Sequence, residues 1–247
     1  NWVAPWTQVE APGCFQVLVN GKALDGVLGT NGGEWDWQEA GKVRLEAGPA
    51  KLALRDLTGF DGRCDALILT TDPAFKPETD VVKLEAFRRQ QGAITAPKGS
   101  VNVELVVVGG GIPGTSAAIA AARLGLKVAL LQDRPVLGGN NSSEVRVHLA
   151  GRQNLPPYPR LGDVVSEIGP AKGGNAQPAS FYEDERKLEA VRAEKNIALY
   201  LNTRGVAVER SGSKIAAVIG RNVETGVETR FVAPVFLDNT GDGTIGE

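Results

Sequence analysis

The string Gly109-Gly110-Gly111-Ile112-Pro113-Gly114 constrains this chain more than any other feature. It has the form G-x-G-x-x-G. It follows the apolar run Val103 to Val108 and opens an alanine-rich stretch, Pro113 to Leu124, which leads to a second apolar run, Lys127 to Leu131. That context, a strand, a tight turn, a helix and a strand, is what gives the motif meaning. Gly109 permits the turn. Gly111 lets the backbone approach a diphosphate. Gly114 lets helix and strand pack closely. Proline is tolerated in a first helical turn, and Gly125 suits the helix end. The near-continuous apolar runs predict strands buried on both faces of a parallel sheet. The diphosphate is expected at the helix N-terminus, where unpaired N–H groups and the helix dipole favour negative charge.

The fingerprint continues with a ribose-binding residue about 20 positions on, usually acidic. Gln132 stands in that slot and Asp133 follows it, so the ribose contact falls to one or the other. Arg134 is placed to approach an adenine or a phosphate. The next segment, Leu137-Gly138-Gly139-Asn140-Asn141-Ser142-Ser143, can line an extended ligand through backbone and small polar groups. Asp184 to Lys195 reads as a charged amphipathic helix and Ile197 to Leu201 as a third parallel strand. Gly205 to Glu209, Lys214 to Asn222 and Glu228 to Ala233 alternate like an antiparallel meander, with turns at Ser211-Gly212 and Thr225-Gly226. Val235 to Leu237 returns to a buried strand. It runs into Asp238-Asn239-Thr240-Gly241-Asp242-Gly243, a glycine-rich loop at a strand's carboxyl end and a second candidate contact to a cofactor.

The first half is different. All four tryptophans, Trp2, Trp6, Trp35 and Trp37, lie in its first 37 residues. Phe15 to Val19 precedes Asn20-Gly21, a strong hairpin signal. Trp35 to Trp37, Val43 to Glu46, Lys51 to Leu57 and Ala66 to Thr70 alternate like further strands. Short strands divided by turn residues predict an all-β sandwich. The expected organisation is a sandwich over 1–75, a linker with a helix near Asp80 to Gln91 over 76–101, and an α/β nucleotide-binding domain over 102–247.

Charge and composition exclude several classes. The net charge is −2, which offers nothing to nucleic acid or an anionic membrane surface. No apolar run approaches the roughly 20 residues of a membrane span. Cys14 and Cys64 have no metal-ligand spacing, and two buried free thiols are expected over a single bridge. One histidine, His148, argues against a His-based metal site or a catalytic triad. No metal is expected.

Three separated strings, VVVGGGIPGTSAAIAAARLG, VALLQDRPVLGGNNSSEVRV and FLDNTGDG, resemble the FAD-dependent oxidoreductases with a glutathione-reductase-type FAD domain, in particular a bacterial group. The resemblance covers Glu104 to Glu247. It implies a Rossmann-like FAD-binding domain with an antiparallel β-meander insertion. It implies that Gly109, Gly111 and Gly114 hold the FAD diphosphate and that Gln132 or Asp133 takes the ribose. Gly138, Gly139, Asn140, Asn141 and Ser142 would run along the diphosphate toward the flavin. Gly205 and Val206 would offer backbone contacts to the adenine, and Gly241 and Asp242 would meet the ribitol or diphosphate. LRDLTGFDGRCDALILTTD is similar to a carbohydrate-binding-like module that precedes such domains. Family members continue past the TGDG motif, so the chain reads as a fragment open at both ends.

The function expected is hydride or electron transfer between FAD and an unidentified small-molecule substrate, with a carbohydrate-related one in view. Ser142, Ser143, Arg146 and His148 follow the double-glycine loop and are candidates to lie near the flavin. Two alternatives stand beside this. One is an NAD(P)-dependent dehydrogenase built on the same first motif. The other is a glycan-binding protein acting through the sandwich, a reading that gains if Trp35 and Trp37 are both exposed and coplanar and loses if they are buried. A module fused to an enzyme domain is compatible with export, by analogy alone. The sequence names no oligomeric state.

Overall fold

The computed structural model describes residues 13–32, 34–58 and 62–246. The chain divides into two compact units, Asn1–Phe87 and Arg88–Glu247. The division falls within 76–101.

In the first unit, β1 (Phe15–Val19) buries alternate residues. Asn20 and Gly21, at φ +50° and +82°, turn the chain into β2 (Lys22–Ala23). Two successive positive φ angles are what a tight two-residue hairpin requires. β3 (Leu52–Asp56) pairs antiparallel with the other edge of β1, from Phe15 opposite Asp56 to Val19 opposite Leu52. The sheet order is β2-β1-β3. Phe15, Val17, Val19 and Leu28 form a small core on one face.

The described residues of the first unit thus hold one three-stranded sheet, not two facing sheets. Trp35 to Trp37, Val43 to Glu46 and Ala66 to Thr70 are not strands. Local bonds compete with a ladder there. Asp36 Oδ1 accepts the Trp37 N–H at 2.8 Å, and Thr70 Oγ1 accepts the Asp72 N–H at 3.1 Å. All five residues of β3 are exposed, so its alternating leucines meet no second layer among the described residues. Trp2 and Trp6 lie outside the described residues. Cys14 and Cys64 are free thiols, but neither is buried.

α1 (Val81–Gln90) carries the chain from the first unit to the second. Beyond it come β4 (Ser100–Asn102), β5 (Leu105–Val108), α2 (Ile112–Arg123), β6 (Val128–Leu131) and α3 (Asp163–Ile168). A 3₁₀ turn (Ala179–Tyr182), α4 (Asp184–Ala193) and β7 (Ile197–Tyr200) follow. The last strands are β8 (Thr203–Ser211), β9 (Lys214–Asn222), β10 (Glu228–Val232) and β11 (Val235–Asp238).

β11-β5-β6-β7 form a fully parallel sheet. Alternation along β5 and β6 sends side chains to both faces. Leu105, Val107, Val128 and Leu130 pack with Ala118 and Ile119 of α2, Ile168 of α3 and Val191 of α4. Val106, Val108, Ala129 and Leu131 pack with Val218 and Phe231 of the meander. Burying each such valine or leucine contributes about 1.5–3 kcal/mol, and both faces are covered. The run of apolar residues in β5 and β6 follows from that double burial.

The second sheet has the order β4-β10-β9-β8. β8, β9 and β10 are the expected meander. β4 is a correction to the linker expected over 76–101: Ser100–Asn102 pairs in parallel with β10, Ser100 opposite Arg230. It joins because Thr95 already bridges Val227, which lays the following residues along the open edge of β10. An ion-pair clamp secures the same edge. Buried Glu228 accepts from Arg89 at 2.8 and 3.0 Å and from Arg221 at 2.7 and 3.0 Å.

Candidate functional site

Three glycine-rich loops meet at the carboxyl ends of β5, β6 and β11. The first leaves β5. Gly109 has φ +100°, which only glycine adopts readily, and a Cβ there would stand 2.5 Å from the Asn239 carbonyl oxygen. A Cβ on Gly114 would collide with the Gly109 carbonyl oxygen. Thr115 Oγ1, fully buried, donates to the Gly110 carbonyl at 3.0 Å. α2 starts with Gly111 as its cap residue and no side-chain cap bond. Its first N–H groups are thus left to a ligand or water.

The second loop leaves β6 and is laid against the first. Gly138 N–H donates to the Gly110 carbonyl at 2.8 Å, and Gly111 and Gly138 form an isolated parallel bridge. A Cβ on Gly139 would stand 3.1 Å from the Gly111 Cα. Asn140 is exposed, whereas Asn141 and Ser142 are buried. Asn141 Nδ2 donates to the Val147 carbonyl at 2.9 Å. Asn141 and Ser142 therefore close the loop from within.

α4 supports this loop from beneath. Asp184 accepts the Ser143 N–H at 3.0 Å. Lys187 is fully buried, and a Cβ on Gly138 would stand 2.8 Å from its Cε. Its Nζ donates to the Tyr182 carbonyl. Burial pulls the Lys187 pKa down, with Asp184 and Glu183 opposing.

The third loop follows β11, whose end is tied to the first by Asn239 N–H donating to the Val108 carbonyl at 2.8 Å. Asp238 folds it by accepting from Thr240 Oγ1 at 2.6 Å, Thr240 N–H at 2.9 Å and Ile245 N–H at 3.0 Å. Burial raises the Asp238 pKa, but these donors outweigh it and hold the carboxyl below the usual range. Gly241 and Asp242 are exposed, with open space where a Gly241 Cβ would stand.

The ribose corner narrows to one side chain. Gln132 is 4% exposed. Its Oε1 accepts the Gly110 N–H at 2.8 Å and its Nε2 donates to the Val136 carbonyl at 3.0 Å. It braces two loops, whereas Asp133 is exposed. Arg134 pairs with Glu144 at 3.2 Å. On β8, Gly205 is buried against Val108, and a bulge leaves Val206 outside the ladder register.

The residues present fit an anionic, polyhydroxylated ligand. A Cβ on Gly241 would meet nothing within 4 Å, and one on Gly111 would make only ordinary contact with Pro113 and Gly139. Asn239 Nδ2, Asn141 Oδ1 and Ser116 Oγ are buried side-chain atoms without hydrogen-bond partners among the described residues. An orphaned buried donor is costly unless a ligand or water satisfies it. Asn239 sits beside Gly109 and Gly114 and is a site residue the sequence reading passed over, although it lies inside the DNTGDG string. Nothing in the sequence marks Lys187, which looks like one more charge on an amphipathic helix.

Elsewhere, Trp35 is 67% exposed, while Trp37 is half-buried and its Nε1 donates to the Glu78 carbonyl at 2.9 Å. The two indoles are not both exposed. Among the described residues no group of three or more His, Cys, Asp or Glu could hold a metal ion, and no helix is long and apolar enough to cross a membrane.

Residues 104–247 match the model of the family described as FAD dependent oxidoreductase. No curated protein matches the chain. Among solved structures similar to it is L-proline dehydrogenase from P. horikoshii, at 22% identity over 60% of this chain and 24% of that one, with a TM-score of 0.37. A second is the myxobacterial chondrochloren halogenase CndH, at 19% identity over 57% and 37%, TM-score 0.37. A third is Thermovibrio ammonificans THI4, at 16% identity over 67% and 66%, TM-score 0.41. The chain spans about a quarter of the dehydrogenase and over a third of the halogenase.

Proposed function

The chain belongs to the FAD dependent oxidoreductase family, and from this premise we propose that it forms the FAD-binding part of an enzyme that moves electrons between FAD and a small-molecule substrate. The observation that carries this reading is the convergence of the three glycine-rich loops, with an orphaned Asn239 amide among them. When bound, FAD supplies the redox chemistry, and the protein binds and orients it.

Each group then has a task. The uncapped start of α2, from Gly111 to Gly114, holds the diphosphate through backbone N–H groups. Asp133 accepts from the ribose hydroxyls. Gly138 and Gly139 let the second loop lie close enough to share the diphosphate. The Val206 backbone meets the adenine. Gly241, Asp242 and the Asn239 amide meet the ribitol or diphosphate. Gln132, Asp184 and Lys187 hold the loops in place without facing the ligand. A carbohydrate-related role for the first unit rests on the exposure of Trp35 alone.

The deciding experiment is the absorption spectrum of the purified chain after loading with FAD and desalting. Flavin bands between about 370 and 450 nm at close to one per chain are expected. A colourless protein that binds NAD instead overturns the reading in favour of a dehydrogenase.

A further inference from the structure

The chain's one histidine holds none of the cofactor-binding tasks, yet its ring is fixed. His148 is exposed, and two of its nitrogens reach one atom: its backbone N–H donates to Asn175 Oδ1 at 2.9 Å, and its Nδ1 lies 2.7 Å from the same Oδ1. A backbone nitrogen can only donate, so the atom it meets is the amide oxygen and not the amide nitrogen. An amide oxygen can only accept, so Nδ1 carries the hydrogen. The proton position follows from this hydrogen-bond logic. In the neutral ring Nε2 then holds the lone pair, and no hydrogen bond among the described residues takes it up.

The pair is tied to the loop that follows the double glycine. Val147, next to His148, donates its N–H to the Asn140 carbonyl at 2.9 Å and accepts from Asn141 Nδ2 at 2.9 Å. Gly139, one residue before Asn140, lies against Gly111. His148 therefore leaves the edge of the three-loop site by a short, doubly anchored path.

The backbone around it is strained. Arg146 and Ala176 flank the pair and both have positive φ, +64° and +53°. Side chains other than glycine, asparagine and aspartate rarely sit there. They persist because the surroundings fix them. Ala176 N–H donates to the Arg146 carbonyl at 2.9 Å, and the buried Tyr182 hydroxyl lies 2.6 Å from that carbonyl and 2.9 Å from the Gly174 carbonyl. Strain imposed at an exposed loop beside a ligand site is a pointer to function.

We propose that His148 is the proton-transfer group of this site and that Asn175 is the positioning residue that keeps its basic nitrogen free for the substrate. The ligand class is a substrate bearing a hydroxyl that donates to Nε2. In the transfer the O–H bond breaks, its electron pair stays on oxygen, and an N–H bond forms at Nε2. Asn175 Oδ1 accepts from Nδ1–H before and after, so the ring does not turn. The proposal rests on the flavin reading above.

Because the chain holds a single histidine, a long-range ¹H–¹⁵N correlation spectrum of the labelled protein contains one imidazole. The expected result is the Nδ1–H tautomer in the native chain and in Asn175→Asp, which keeps an acceptor, and its loss in Asn175→Ala. An Nε2–H tautomer in the native chain overturns the assignment of Asn175. The second measurement loads the chain with FAD, verifies retention by absorbance, and reduces it with dithionite. A shift of the Nε2 resonance on reduction is expected. Flavin retained with an unmoved Nε2 overturns the proton-transfer role. Flavin not retained overturns the parent reading and that role with it, while the tautomer result stands by itself.

Discussion

Gly110 and Gln132 share a buried hydrogen bond, backbone N–H to side-chain oxygen, 2.8 Å long. The other end of the same amide holds the Val136 carbonyl at 3.0 Å. One neutral side chain thus satisfies a donor on the first loop and an acceptor on the second. A carboxylate could serve only the donor. Gln132→Leu removes the partner of the buried Gly110 N–H and of the half-buried Val136 carbonyl, and a buried group so stranded costs about 1–3 kcal/mol. We expect Gln132→Leu to lower stability by at least that amount and to weaken FAD retention, with Gln132→Glu between it and the native chain. Urea unfolding and flavin titration check this. An unchanged unfolding midpoint in Gln132→Leu would refute the bracing role.

Two glycines separate packing from binding. A methyl group on Gly114 collides with the Gly109 carbonyl, whereas one on Gly241 meets nothing within 4 Å. Gly114→Ala should cost about 1–3 kcal/mol, as overpacking does, and abolish flavin retention. Gly241→Ala should leave stability within about 0.5 kcal/mol and still weaken FAD binding. Equal melting temperatures for the two variants would contradict the assignment.

Glu228 should make the chain acid-sensitive. Burial raises its pKa, but the hydrogen bonds from Arg89 and Arg221 outweigh this and bring the carboxyl below its ordinary 4.5. A depressed carboxyl stabilises the fold above the unfolded value and loses that contribution as the pH falls through the folded value. Removing one partner from a buried pair costs about 3–5 kcal/mol. Glu228→Gln should therefore be less stable than the native chain by about 3 kcal/mol at neutral pH. The gap should close as the pH drops below 4.5. A gap that is constant with pH would show that the charge is immaterial.

Lys187 has the opposite consequence, on the alkaline side. Burial places its folded pKa below the ordinary 10.5. Between those two values the unfolded chain binds more protons, so stability rises with pH across that window. Lys187→Met keeps the volume and removes the titration. The difference in unfolding free energy between the native chain and Lys187→Met should move in favour of the native chain as the pH climbs toward 10.5. Parallel curves would show that the amine titrates normally.

The parallel sheet was readable because burial on both faces writes a strand as an unbroken apolar run, and Val106 through Val108 are such a run. The meander was readable from its turns: Gly212 and Gly226 adopt the positive φ their positions suggest. Alternation served less well in the first unit. A period of two marks a residue pattern, but it does not say that a second layer exists to cover it. Hence Leu52 and Leu54 alternate as expected and remain exposed in β3. In the site, the glycines announced themselves because their role is local. Lys187, Asn175 and Tyr182 did not. Their partners lie in other segments, and only the fold brings them together.

The short strand on the edge of β10 bears on how the chain can be divided. A shortened protein starting at residue 102, where the apolar pattern invites a cut, would lack most of Ser100–Asn102 and all of Arg89. Its β10 would then show an unpaired rim of N–H and C=O groups, the surface on which sheets of separate molecules join. Glu228 would sit at that rim with half its cationic escort removed. A gene fragment meant to yield a soluble second unit should begin no later than Arg88.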